Sequence, residues 1–160
     1  MAFAVRPFED ADTDQIVALS LRAWAPVHAS MARVLGESVN ALVYPDWAAS
    51  QERDVRDACG DPDISVTVAT DGDTIVGFVS VKIYRSSQMG EMDMIAVDAA
   101  AQRQGIGRAL AECAMTQMRA EGCAVATVAT GGDAGHAPAR ALYEELRFTS
   151  LPLVRYYRKL

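Results

Sequence analysis

The chain is short of cysteine, histidine and positive charge, and each shortage removes a class of function. Its 160 residues hold three cysteines, Cys59, Cys113 and Cys123, with no pair at CxxC spacing. An odd count at wide spacing argues against a disulfide framework. Cys113 on an apolar helical stripe and Cys123 beside a β-like run read as small buried hydrophobes in a reducing, cytoplasmic setting. The two histidines, His28 and His136, lack Cys or acidic partners at metal-ligand spacing, so no metal site is expected. Lys and Arg number 15 against 21 Asp and Glu, a formal net charge of −6. That balance repels phosphate backbones and removes the main source of nucleic-acid affinity. No uncharged run is long or apolar enough to span a membrane, and the start, MAFAVRPFEDADTD, lacks the apolar core of a signal peptide.

What remains is globular. The chain is 51% hydrophobic and 22% charged, without repeats or low-complexity linkers, and reads as one domain over residues 1–160. Residues 3–7 suggest a short strand. Asp10, Asp12 or Thr13 could cap a helix carrying Ile16, Leu19, Leu21 and Trp24, which Pro26 is expected to break. Residues 27–59 read as helical pieces, with a new one starting at Pro45. Strands follow at 64–70, 74–84 and 91–97, the first two joined by an Asp71-Gly72-Asp73 hairpin turn. Helical spacing runs from Gly105 to Glu121 and stops at Gly122. The nearly all-apolar 124–130 reads as a central strand covered on both faces. A helix opens near Pro138 and ends near Leu146, and 148–160 reads as a β-rich tail that could pair across a homodimer. The expected fold is α/β (α+β): one mixed, mostly antiparallel sheet with helices on both faces, an antiparallel meander feeding a β-α-β crossover.

The segment Glu91 to Arg108 carries the chemistry. A strand ends at Val97, a short turn follows, and Gly105-Ile106-Gly107-Arg108 opens a long helix. A helix N-terminus presents unpaired N–H groups and a positive dipole end, and two glycines let the backbone approach an anion. Gln102, Arg103, Gln104 and Arg108 add donors and positive charge. The nucleotide P-loop pattern GxxxxGK[ST] is absent. The dinucleotide pattern fails too, since Leu110 stands where its third small residue belongs.

Gln102-Arg103-Gln104-Gly105-Ile106-Gly107 resembles the Arg/Gln-x-x-Gly-x-Gly/Ala signature of the GCN5-related N-acetyltransferase (GNAT) superfamily. Downstream, Ala139 to Phe148 resembles that family's A-x-x-L-Y-E-x-x-G-F segment. The resemblance covers 64–160; residues 1–63 match in architecture alone. Two positions depart from it: His136 stands where the family often has a cofactor-binding Asn, and Arg147 replaces the Gly before Phe148.

The resemblance implies acetyl-CoA as co-substrate and a GNAT-like fold. The pyrophosphate would sit on the amides of Gln104 to Arg108, and the pantetheine arm would pair with the main chain of Ile95, Ala96 and Val97. That pairing requires the strands 91–97 and 124–130 to splay apart, often at a bulge. The reaction would be direct attack on the thioester, in a ternary complex, by a primary amine of a small molecule or peptide. Tyr143 is placed to donate to the leaving thiolate. Glu91 is the candidate base; Asp93 shares its strand face, with Met92 and Met94 turned the other way. Either carboxylate could equally hold a substrate cation. Trp24, Met31, Tyr44 and Trp47 fall in the region the family uses for acceptors. The alternative is a non-catalytic acyl-CoA-binding sensor or regulatory module.

Overall fold

A computed structural model describes residues 2–160. Five strands, β1 (Ala4–Pro7), β2 (Ile64–Asp71), β3 (Thr74–Tyr84), β4 (Met89–Val97) and β5 (Val125–Val128), form one sheet in the order β1-β2-β3-β4-β5. The first three pairings are antiparallel and β4–β5 is parallel. This is the mixed, mostly antiparallel sheet expected. Asp71 pairs with Thr74 around the turn, where Gly72 takes φ +58, a left-handed value that glycine adopts without a Cβ penalty.

Each face of the sheet carries its own core. Helices α1 (Thr13–Leu35), α2 (Glu37–Val43) and α3 (Trp47–Gly60) precede β2, and α1 and α3 cover one face. There Ile16, Leu19 and Val55 meet Phe78, Met94 and Ala96. Helices α4 (Ile106–Ala120) and α5 (Ala137–Glu145) cover the other. On α4, Ile106, Leu110, Ala114 and Met118 recur at helical spacing and pack on Val79, Val81 and Met92. Fully burying a side chain of this size contributes about 1.5–3 kcal/mol, so this stripe, more than helix propensity, holds α4 in place.

Four expectations need correction. Pro26 does not end its helix: α1 runs through it to Leu35. Pro26 and Arg22 are both exposed, so the proline falls on the solvent side of the helix, where water can take the place of the hydrogen bond that its missing N–H removes. Strand β5 is an edge strand, with Val125 52% exposed, and not a central one. The β-rich tail is not built, for 148–160 contains no strand. Pro152 lacks an N–H, and Leu151, Leu153, Val154 and Tyr156 lie exposed with no ladder to join. Finally, Met92 and Met94 do not share a face. Val81 pairs with Met92 and Ser80 with Met94, so Asp93 is an extra residue, a β-bulge. It turns Met92 into the α4 core and Met94 into the α1/α3 core.

Candidate functional site

The bulge determines where the sheet opens. Pairing between β4 and β5 runs from Met89–Val125 to Met92–Val128 and stops there. Beyond it β4 continues to Val97 while β5 turns away into the loop 129–136. Asp93 to Val97 therefore have β3 on one side and no strand on the other, leaving a main-chain edge for an extended, amide-bearing ligand. Ile95 and Val97 are half-buried against the α4 core, and Ala96 is buried in the α1/α3 core.

At the end of this edge the chain turns into α4. Asp98 accepts from the Ala100 amide at 3.1 Å and from Arg22 of α1 at 2.6 Å. The Arg22 contact, with the amide, holds the Asp98 carboxyl below the usual carboxylate range. Gln102 donates to the Val97 carbonyl at 3.2 Å, so its side chain braces the turn. Arg103 takes φ +61 and Gly105, the N-cap residue, φ +83. No side chain caps α4 and no acid lies in its first turn. Its leading amides and its dipole end face an exposed turn of Gln102 to Gly105.

The residues of this turn differ in what they can offer. A Cβ on Gly105 would meet nothing within 4 Å, so the glycine serves the left-handed backbone on an open side. A Cβ on Gly107 would lie 3.3 Å from Leu142 Cδ2 and 3.7 Å from Val97 Cγ2. That glycine therefore lets α4 pack closely on α5, a role besides the one the Gly-x-Gly pattern predicts, clearing space for an anion. Ile106 is 1% exposed; its side chain belongs to the core and its amide alone is available. Arg108 pairs with Glu145 at 3.0 Å and sits 3.7 Å from Glu112. Arg103 and Gln104 are exposed.

Tyr143 lies on the inner side of α5, 8% exposed, with Phe148 edge-on to its ring at 5.9 Å. Burial pushes its phenol up to about 12. The group thus stays protonated at neutral pH, and its hydroxyl has no hydrogen-bond partner among the described residues. Arg147 supplies the left-handed turn after α5 at φ +65, and the Phe148 amide bonds back to the Tyr143 carbonyl. That turn seats Phe148 on the tyrosine.

Tyr84 and Lys82 alternate on β3 with Val81 and Ile83 of the α4 core, so their partners Glu91 and Asp93 lie on the α1/α3 side of β4. Each carries a partner: Tyr84 Oη donates to Glu91 at 2.7 Å, and Lys82 pairs with Asp93 at 2.9 Å. The Glu91 contact raises the Tyr84 phenol.

A cleft of about 300 Å³ opens on the same side, between α1, α3 and the loop before α5. His28 stacks on Trp47 at 4.5 Å, with Tyr44 edge-on at 5.3 Å. Trp24, Met31 and Asp54 complete much of the wall. The cleft reaches the splayed strands at two points. Gln51, in its lining, donates to Met94 Sδ at 3.8 Å, one residue past the bulge. His136, also in its lining, ends the loop that β5 leads into. Burial lowers the His28 pKa, with a smaller contribution from nearby His136. His28 Nδ1 is buried without a hydrogen-bond partner.

Metal-ligand spacing predicts no acidic partner for His136, yet the structure supplies one. Asp133 is that partner: its Oδ1 lies 2.5 Å from His136 Nδ1. A histidine three residues after an acid at a helix start was the available signal. A second groove, about 130 Å³, lies between Met118 and Cys123 at the far end of α4, remote from these groups.

Residues 32–148 match the acetyltransferase (GNAT) family. The chain is 26% identical to a mycothiol acetyltransferase of Streptomyces scabiei over 99% of its own length and 52% of the relative's. A second such enzyme, from Streptomyces bingchenggensis, is matched over 46% of its length, so the chain spans about half of these curated relatives. Among solved structures it superposes on AAC(6')-Iy in complex with a CoA bisubstrate analogue at a TM-score of 0.70. The identity is 15%, covering 100% of this chain and 99% of that one. It also superposes on the ribosomal-protein-S18-alanine N-acetyltransferase of Escherichia coli at 0.67, with 21% identity over 94% and 80% of the two chains. These likenesses establish the fold.

Proposed function

The chain belongs to the acetyltransferase (GNAT) family, and from that membership we propose that it transfers an acetyl group from acetyl-CoA to a primary amine of a small molecule or peptide. One observation carries the reading: an uncapped helix N-terminus adjoins a β4 edge that β5 has left open. The first suits a pyrophosphate, the second an extended arm of two amides, and they are consecutive in the chain. The amides of Gln104 to Arg108 would hold the pyrophosphate, with Arg103 free to approach it. Ile95, Ala96 and Val97 would pair with the pantetheine main chain, and His136 flanks its reactive end.

Tyr143 then serves as donor. Burial keeps its phenol protonated, so it can give a hydrogen bond, and then the proton, to sulfur as the carbon–sulfur bond breaks. Glu91 and Asp93 place negative charge on the opposite face, where an ammonium would enter, and Glu91 is the carboxylate for holding it. Of the two neighbours named above, one is an alanine N-acetyltransferase of a ribosomal protein and the other holds a CoA bisubstrate analogue, which agrees with an amine acceptor here.

The test has two steps. Acetyl-CoA at about 100 times its dissociation constant would stabilise the fold by about 2.7 kcal/mol, a Tm rise of roughly 5–10 °C for a chain of this size. Free-thiol release is then followed across a panel of amines. No Tm shift at millimolar acetyl-CoA refutes the reading. A shift without thiol release from any amine leaves an acyl-CoA-binding module in its place.

A further inference from the structure

We infer that His136, held by Asp133, is the general base for the acceptor amine, and that the aromatic cleft it faces takes an amine carried on a planar apolar body. The inference rests on the acetyltransfer reading above and adds the residue that removes the proton and the class of acceptor.

The loop is built around the pair. Asp133 caps the turn Ala134–His136 by accepting from the Gly135 amide at 3.0 Å, while its other oxygen engages His136 Nδ1. Ser30 of α1 closes the arrangement, its Oγ accepting from the Gly135 amide at 2.9 Å. Arg140 of α5 donates to the carbonyls of Gly131 and Asp133 at 2.6 and 2.8 Å. A Cβ on Gly131 would collide with both the Asp133 carboxylate and the His136 ring, and one on Gly135 would lie 2.7 Å from Ser30 Cβ. The imidazole is therefore fixed in position. Asp133 fixes its tautomer as well, since a carboxylate accepts the Nδ1–H and leaves the Nε2 lone pair as acceptor. Nε2 has no hydrogen bond to the described residues, and it is not sealed from solvent.

The charged and titratable groups around the ring suit this role. From its own loop it faces Asp133. Burial raises that carboxyl, but hydrogen bonds from Ser30 and His136 outweigh it and keep it ionised. From α1 it faces His28, which burial keeps neutral. From α3 and the segment before it come Asp54 and Tyr44, and from α5 Arg140, whose guanidinium is spent on carbonyls. Glu91 competes poorly as base, because Tyr84 already donates to it and it is not in the cleft's lining.

The step balances. Nε2 takes one proton from the ammonium and passes it to solvent. The freed lone pair forms the nitrogen–carbon bond as the carbon–sulfur bond breaks. Tyr143 protonates the sulfur and recovers a proton from the attacking nitrogen. The products are amide, thiol and one proton. Trp24, Tyr44 and the His28–Trp47 stack line the cleft, an aromatic wall of the kind that accepts a planar, apolar group.

Two probes of equal size separate the roles. Benzylamine reaches the site as an ammonium, whereas phenylhydrazine reaches it neutral and needs no base for the first proton. Wild type should acetylate both, as read by thiol release. His136→Asn should slow benzylamine about 100-fold or more, flatten the acidic limb of its kcat/KM profile, and leave phenylhydrazine within a fewfold. Asp133→Asn should act in the same direction, more weakly. The Tm shift with CoA should survive in every variant. Equal losses on both probes, or an unchanged benzylamine profile in His136→Asn, overturn the inference. Acetylation of neither probe by a wild-type protein that still shifts with acetyl-CoA also overturns it, and leaves the proposed function standing.

Discussion

Gly107→Glu is the sharpest perturbation of the proposed pyrophosphate site. Position 107 is the second residue of α4, after the N-cap Gly105 and Ile106. A side chain there departs toward Leu142 Cδ2, 3.3 Å from its Cβ. The carboxylate must bend back to the exposed turn of Gln104 and Gly105, beside the amides that would bind phosphate. Two unit charges about 5 Å apart at an effective dielectric of about 20 repel by roughly 3 kcal/mol. Solvent screening at this exposed turn brings that to about 1–2 kcal/mol, a loss of about 5–30-fold in CoA affinity. Gly107→Ala is the control. It meets the same leucine terminus but adds no charge, and its helix propensity gain of about 1 kcal/mol offsets the tight contact. Titration calorimetry with CoA at low and high salt separates the terms. The Glu variant should weaken and recover in part with salt, while Ala stays within about threefold of wild type. If a folded Glu variant binds CoA as wild type does at low salt, the α4 N-terminus is not the phosphate site. If Ala loses as much as Glu, packing and not charge is responsible.

Tyr143→Phe keeps the packing on Phe148 and removes the donor, so turnover should fall about 10- to 100-fold with acetyl-CoA affinity little changed; steady-state kinetics with unchanged kcat would reject the donor role. Gly90→Ala drives a Cβ into the buried Met118 side chain in the last turn of α4, and should lower stability by about 1–3 kcal/mol in urea melts. Asp12 is 6% exposed and bound two-pronged by Arg6 at 2.7 and 2.9 Å, contacts that lower its pKa. Its contribution is therefore full above the ordinary carboxylate value of about 3.9 and is lost as pH falls through the lower folded value. The Tm advantage of wild type over Asp12→Asn should accordingly shrink below about pH 4. Arg147→Gly removes a left-handed non-glycine residue at φ +65, and should raise stability by about 1 kcal/mol without moving Phe148.

The local parts of the fold were legible because their signals are local. Alternation in 64–70 and 74–84, the Asp71-Gly72-Asp73 turn and the stripe on α4 each specify an element within a dozen residues. What sequence missed depends on contacts between elements. Alternation assigns Met92 and Met94 to one face, and only pairing with Ser80 and Val81 shows that Asp93 is extra. An all-apolar strand looks central, yet β5 lies at the edge because nothing pairs beyond it. Pro26 looks like a stop, and is tolerated where it and Arg22 lie on the exposed side of α1.

The site divides along the same line, and the division bears on mechanism. The anion cradle is a run of consecutive residues, Gln102 to Arg108, so its type could be read directly. The cleft draws on α1, α3 and the loop before α5, and no window of sequence contains His28, Trp47 and His136 together. Donor-side chemistry must hold one ligand, so backbone amides and a glycine turn suffice and the pattern stays compact. Acceptor-side chemistry must distinguish one amine from another, which takes side chains from several elements. The bulge at Asp93 couples the two. It ends the β4–β5 ladder, which frees the main-chain edge, and it turns Met94 toward Gln51 at the cleft wall. An inserted residue thus opens the sheet for one substrate while joining that opening to the pocket for the other. Deleting Asp93 should for that reason disturb both sides together, whereas changes at His136 or Gly107 should each touch one.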